Sequence, residues 1–290
     1  MPSKPKPKPS NKGTASRVDT ITYPPERFPF AQYASVVGVH LMLMVFTALY
    51  LPQTTRLFRP AAAPDRAQSD FMEALTANPV STLGWTCAGL VILEVWWASW
   101  VRKWYFEQTE RGTEDEIKLD RMQFRNLRLT RFREAFAFTL YATLGAYVIT
   151  ILFGAPLSSH VLRTILLAFA VATTAAFPPA FALGCPSLAS GTAAMVTRLI
   201  WTRLFAELSP RNAIERAIVY PAVGAVAGAW TGTIPIALDW DRPWQAWPLA
   251  LLFGSLAGYI VGSLLALQVT TAKWLAYAHV RSPYSKCKTT

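Results

Sequence analysis

The chain has 290 residues, of which 52% are hydrophobic and only 16% charged, with a mean hydropathy of +0.26 and a formal net charge of +11. Soluble domains carry about 25% charged residues, so the composition excludes an ordinary soluble globule and indicates an all-α, polytopic membrane helix bundle. The basic residues sit beside apolar runs, which assigns them to lipid head groups and topology rather than to a nucleic-acid partner.

Residues 1–29 open on Lys-Pro alternation (Lys4, Pro5, Lys6, Pro7, Lys8, Pro9). Such a stretch stays extended and solvated and reads as a disordered basic tail. No apolar segment precedes Phe30, so no cleavable signal peptide is expected and the first span serves as the targeting signal. Runs of the roughly 20 residues needed to cross a bilayer then occur at 30–51, 80–101, 135–153, 161–183, 217–238 and 248–271, giving six spans in a membrane domain of 30–275. Pro178-Pro179 is expected to kink or end the fourth helix early, and Pro221 to kink the fifth.

Between the second and third spans, 102–134 starts acidic and turns basic, with Arg121, Arg125, Arg128, Arg131 and Arg133 interleaved with Met122, Phe124, Leu127, Leu129 and Phe132. Two readings fit it: a segment lying on an anionic leaflet, or a solvated juxtamembrane helix with internal charge pairs. In the 184–216 loop, Leu199, Ile200, Trp201, Leu204, Phe205 and Leu208 recur at helical spacing among Arg198, Arg203 and Glu207, as in a short interfacial helix. Ser209 followed by Pro210 reads as the N-cap of a fifth helix that starts before the membrane.

An even number of spans puts both termini, 102–134 and 184–216 on one face. That face holds 23 of the 28 Lys and Arg residues, and the other holds 5. Positive charge resists translocation, so the rich face is expected to be cytosolic, with the tail 276–290 on the same side. Lys286 and Lys288 resemble the dilysine retrieval signal of endoplasmic reticulum membrane proteins.

The last two spans carry the clearest pattern. Gly224, Gly228 and Gly232 precede a polar linker and Gly254, Gly258 and Gly262 follow it, lying 11, 15 and 19 residues from Pro243 on both sides. If the spans fold back at the linker, each glycine meets one at the same depth, and small residues at this spacing let two backbones approach closely in lipid. The expected product is a closely packed hairpin displaying an acidic, tryptophan-rich loop.

Candidates for chemistry are sparse. Cys87, Cys185 and Cys287 have no metal-like or CxxC spacing, and His40, His160 and His279 fall at different depths, so neither set makes a metal or cofactor site. Glu94 is the only acid well inside a span, near Trp96, Trp97 and Trp100; snorkelling or pairing with a nearby basic residue explains it. His40 lies deeper, where a lone histidine reads as a packing residue. Asp239 and Asp241 are paired carboxylates that can bind a cation or divide acid and base roles. Beside them, however, are Arg242 and the interfacial anchors Trp240, Trp244 and Trp247, which favour a structural or partner-binding role. Nucleotide-binding, nucleophile-elbow and zinc-protease motifs are all absent, so no catalytic residue is assigned.

The run from Gly232 through Asp239, Trp240, Asp241, Arg242, Pro243, Trp244, Gln245 and Trp247 to Pro248 closely resembles the signature of the PIG-F family, polytopic endoplasmic reticulum proteins of glycosylphosphatidylinositol (GPI) anchor synthesis. Gly184-Cys185-Pro186 also looks like that family's pattern, and the likeness extends over 30–275. The resemblance implies a non-catalytic accessory subunit without cofactor. Its partners would be large ethanolamine phosphate transferases with a lumenal, metal-dependent catalytic domain, which act on mannoses of the GPI glycan. Residues 239–247 would then contact the partner or lipid head groups. The competing reading is a lipid-handling enzyme or carrier whose own head-group site is that loop, and a plain structural scaffold is a third.

Overall fold

The computed structural model describes residues 28–57, 69–110, 113–238 and 240–281. The expectations for the basic tail up to residue 27, for Asp239 and for Lys286 and Lys288 lie outside the described residues. Regular structure among the described residues is helical throughout: α1 (Phe30–Leu49), α2 (Asp70–Thr76), α3 (Pro79–Thr109), α4 (Glu114–Asn126), α5 (Arg128–Leu152), α6 (Val161–Ala175), α7 (Phe177–Leu183), α8 (Thr192–Trp201), α9 (Ala213–Thr231) and α10 (Leu249–Arg281). Six stretches are long and apolar enough to cross a membrane: α1, α3, α5, α6 with α7, α9 with the turn after it, and α10. Each expected span therefore falls on one of these helical stretches.

Several helices overrun their apolar runs. α5 starts at Arg128 rather than at 135, and α10 continues to Arg281 rather than stopping at 271. Hydropathy marks where lipid ends, whereas a helix ends where its backbone meets a cap or a breaker. Arg and Lys are good helix formers, so the polar flanks carry on. The fourth span does break where proline predicts: α6 ends at Ala175 and α7 restarts with Pro178 and Pro179 in its first turn. Pro221 stays within an unbroken α9.

Two local expectations are corrected. Asn212, not Ser209, caps α9, its side chain accepting the Glu215 N–H at 2.7 Å. Ser209 instead gives its carbonyl to Arg203 at 2.8 Å and stays in the loop. The interfacial helix starts earlier than its apolar run, at Thr192, and finishes in a π turn at Thr202–Ala206. A 3-10 segment at Leu51–Leu57 and α2, capped by Ser69, were not legible in the sequence and occupy the loop between the first two spans.

In the 102–134 segment the internal charge pairs of the second reading are present. Arg121 grips Glu110 through two bonds of 2.7 and 3.0 Å, and Lys118 meets Asp115 at 3.2 Å. The Arg121 guanidinium holds the Glu110 carboxyl below the usual carboxylate range. The helix is also clamped to the bundle: Phe124 stacks on Phe106 at 4.3 Å, and the Arg102 guanidinium lies 4.2 Å from the Phe124 ring and 5.0 Å from that of Phe181.

α1, α3, α6, α9 and α10 share one core, built around Met44, Leu83, Leu90, Leu167, Ala225, Leu252 and Tyr259. α5 lies outside it, burying only Ala135, Thr139 and Thr143. The α9–α10 hairpin is thus part of the central packing, with its linker at one membrane face.

Candidate functional site

α9 and α10 meet along their glycines. A β-carbon placed on Gly228 would lie 3.0 Å from the Cα of Gly258, one on Gly254 3.0 Å from the Cα of Gly232, and one on Gly224 3.4 Å from the Cα of Gly262. The pairs are those expected from equal distance to Pro243. Between these rungs each glycine faces a carbonyl of the opposite helix: Gly224 that of Gly258, Gly228 that of Gly254, and Gly232 that of Ala250. The space a side chain would need is filled by backbone. Cα–H groups facing carbonyls attract weakly, and close backbone contact of this kind is what holds helices together in lipid.

Gln245 organises the linker that this seam supports. Its Nε2 donates to the carbonyls of Pro235 and Leu238 at 2.6 and 2.7 Å, and its Oε1 accepts the Arg242 N–H at 2.6 Å. Trp247 donates through Nε1 to Thr164 Oγ1 at 3.0 Å, tying the linker to the first turn of α6. The side chains that remain at the surface are different ones. Trp240 is 56% exposed and meets Trp244 edge-on at 5.9 Å, while Asp241, with a left-handed φ of 46°, and Arg242 are also exposed. Trp230 and Ile234 extend this apolar and charged surface along the end of α9. Gln245 and Trp247 therefore shape the loop, and Trp240, Asp241, Arg242 and Trp244 make up its outer face.

A second constellation lies in the middle of the bundle. Glu94 is fully buried, which overturns the snorkelling alternative of the sequence reading. Its Oε1 faces His40 Nε2 at 3.6 Å, and its Oε2 accepts the Tyr259 hydroxyl at 3.3 Å. His40 stacks on Trp97 with ring centroids 4.9 Å apart. The correction has a physical reason: Glu94 shares its side of α3 with the buried Leu90, Trp97 and Val101, which aims it at α1 and α10 instead of at the interface. The sequence did contain the clue, since the acid and His40 are both costly in lipid unless they find each other.

At the opposite face the loop before α9 is tied down by side chains. Arg203 forms two bonds to Glu215 at 2.6 and 2.9 Å, and Trp201 Nε1 donates to the Gly184 carbonyl at 2.9 Å. Gly184 has φ of 89°, a conformation that disfavours any side chain, and the Arg131 guanidinium lies 3.3 Å from where a β-carbon would stand. Burial pushes the neighbouring Cys185 thiol up to about 11, which keeps it protonated near neutral pH and unsuited to nucleophilic work. Cys87 donates to the Leu166 carbonyl at 3.4 Å and links α3 to α6.

The chain is similar to several known proteins. A human protein named "GPI ethanolamine phosphate transferase, stabilizing subunit" is 31% identical over 139 residues, covering 48% of this chain and 58% of the human one. Two proteins named "Glycosylphosphatidylinositol anchor biosynthesis protein 11" are similar as well. That of Aspergillus fumigatus is 34% identical over 48% of this chain and 42% of its own length; that of Pyricularia oryzae is 37% identical over 43% and 42%. The chain thus spans about half the length of the curated relatives it matches. No solved structure matches. The profile described as "GPI biosynthesis protein family Pig-F" matches residues 59–267, which include the glycine seam, the linker and Glu94, and the chain belongs to that family.

Proposed function

We propose that this chain is a non-catalytic stabilising subunit of the ethanolamine phosphate transferases that modify mannose of the GPI precursor in the endoplasmic reticulum membrane. The observation that supports the reading is the hairpin: a backbone-to-backbone seam holds a linker that exposes Trp240, Asp241 and Arg242, and these residues are the docking surface in this reading. The relatives' printed names support the assignment. The linker face is lumenal and both termini are cytosolic, a reading supported by the 23 to 5 division of basic residues. The catalytic subunit, with its own metal-dependent domain, carries the chemistry.

The test is co-purification of the tagged chain with a transferase catalytic subunit from cells. Trp240→Ala with Arg242→Ala should lower the partner recovered while leaving the chain's own level unchanged, and Asp239→Ala with Asp241→Ala should abolish function of the complex without harming the purified partner's active site. Phosphoethanolamine transfer or lipid movement by the purified chain alone would overturn the accessory role in favour of a catalyst or carrier acting at the loop.

A further inference from the structure

The periodicity of 199–208 marks one apolar side of the segment before α9, and the structure shows that α8 has two. Leu204, in the π turn that ends the helix, is fully buried, and Trp201 packs against the cluster of Ala135, Phe177 and Phe181. The side turned away from the bundle presents Met195, Val196 and Leu199, each more than half exposed. Leu199 stands one turn after Met195 and Val196, so the three make a single patch, which Thr192 extends without a charge. Arg198 is drawn off this side, because its Nη1 donates to the carbonyls of Ser187 and Ala189 at 2.5 and 3.0 Å. Leu188, between those two carbonyls, is 98% exposed and adds a further apolar group to this surface of the protein.

Two contacts of Trp201 fix the depth at which this patch stands. Its Nε1 donates to the Gly184 carbonyl, where the fourth span ends, and its ring meets that of Phe138 edge-on at 5.2 Å. Phe138 lies within the third span, one turn deeper than Glu134, the last charged residue of α5. Tyr141, Ile149 and Leu152 follow on the same side of α5, within about 60° of Phe138 at 100° per residue, and all three are exposed. That side of a membrane-crossing helix is covered by lipid chains, so chains fill the space directly beneath α8. With ten residues, α8 is about 15 Å long, half of the roughly 30 Å of hydrocarbon in a bilayer. It lies along one leaflet and does not cross.

We propose that α8 is sunk into the leaflet opposite the linker, at the depth of the first acyl carbons, with Met195, Val196 and Leu199 against lipid chains. The lipid-facing surface of α5 then continues onto α8, and the loop between the fourth and fifth spans anchors the bundle in that leaflet, as amphipathic in-plane helices do. The patch favours lipid over a protein helix as its occupant. Helices that associate within a bilayer meet through small or hydrogen-bonding residues, whereas the centre of this patch is bulky and wholly apolar. The inference concerns the face opposite the linker and does not depend on the docking role proposed for that loop.

The test uses the unaltered full chain in phosphatidylcholine liposomes, photolabelled either by phosphatidylcholine with an aryl diazirine near the glycerol end of one acyl chain or by a water-soluble aryl diazirine present on both sides, with labelled residues mapped by mass spectrometry. The lipid probe should label 195–199, and the water-soluble probe should label α4 while sparing 195–199. Met195→Asp with Leu199→Asp alters exposed positions only, so circular dichroism and thermal unfolding in detergent should stay as in the parent, while lipid labelling of 195–199 is lost and aqueous labelling appears. The two arms with the unaltered chain decide the matter if that variant does not fold. Aqueous labelling of 195–199 in the parent, without lipid labelling, would overturn the proposal. Protection of 195–199 from both probes would overturn it too, because a protein surface would then be the occupant.

Discussion

Replacing Gly228 by alanine sets two effects against each other. In an unobstructed helix the change is favourable by about 1 kcal/mol, because alanine forms helix better than glycine. Here the new methyl would stand 2.9 Å from the carbonyl carbon of Gly254 and 3.0 Å from the Cα of Gly258, and closer still to the Gly254 oxygen. These are backbone atoms in mid-helix and cannot rotate aside, so α10 has to move as a body. That movement also loosens the rungs at Gly224 with Gly262 and at Gly232 with Gly254. Forcing one extra carbon into a packed interior costs about 1–3 kcal/mol, which leaves a net loss of up to ~2 kcal/mol, and Gly228→Leu should lose more. Gly84 and Gly145 are internal controls, because a β-carbon at either meets nothing within 4 Å. Thermal unfolding in detergent should place Gly228→Ala a few degrees below the parent and the two controls at or above it. Unfolding of Gly228→Ala at the temperature of Gly145→Ala would refute the seam as a source of stability.

Glu94→Leu should destabilise by about 1–3 kcal/mol because it strands the buried Tyr259 hydroxyl, whereas Glu94→Gln keeps the shape and an acceptor for that hydroxyl and should stay close to the parent in denaturant unfolding; equal damage from both would show that the carboxylate itself is required. An Asn-x-Ser/Thr sequon engineered into 60–70 should be glycosylated in cells and one near 115 should not, and the reverse pattern would invert the proposed topology. Acidification should loosen α4. Arg121 lowers the Glu110 carboxyl, and the Thr113 backbone N–H and hydroxyl lower that of Glu116. With folded values depressed, their stabilisation is complete above the ordinary value of about 4.3 and is lost as pH falls through the lower folded values. Hydrogen exchange over 114–126, corrected for intrinsic rates, should therefore quicken as pH falls below the ordinary carboxylate value of about 4.3, and Glu110→Gln with Glu116→Gln should remove that dependence.

What could be read from the sequence was whatever a single helix or one turn encodes. Glycines every four residues, at equal distances from Pro243, define both a face and a register, so the seam was legible down to its pairs. Pro178-Pro179 acts on its own backbone, and the break at Ala176 followed. The loop could be named as a whole, because tryptophan and charge at a helix end have a common explanation, but not which of its residues turn outward. The internal task of Gln245 could not, since it depends on Pro235 and Leu238 curling back in a 3-10 turn. The Glu94 cluster was lost for a different reason. Its members lie on three helices, and which way each faces is a matter of helix rotation; α1, α3 and α10 are apolar nearly all round, so hydropathy fixes their depth and leaves their rotation open. Read singly, Glu94 and His40 each received a local explanation.

The seam and the buried cluster also constrain each other. Gly258 and Tyr259 are consecutive on α10, so about 100° of helix rotation separates the side that touches α9 from the side that reaches Glu94. The glycine rungs leave α10 little freedom to translate or rotate, because backbone meets backbone at three depths. The hydroxyl of Tyr259 is held at Glu94 by that same placement, and Glu94 in turn faces His40 on α1. Loosening the seam therefore reaches α1 and α3 through Tyr259. A hairpin joined to the core in this way cannot drift independently of the bundle, and its linker, pinned by Trp247 to α6, stands at a fixed position on the membrane face. The docking role proposed for the linker would draw on that fixity, since each degree of freedom left to a binding surface has to be ordered on binding.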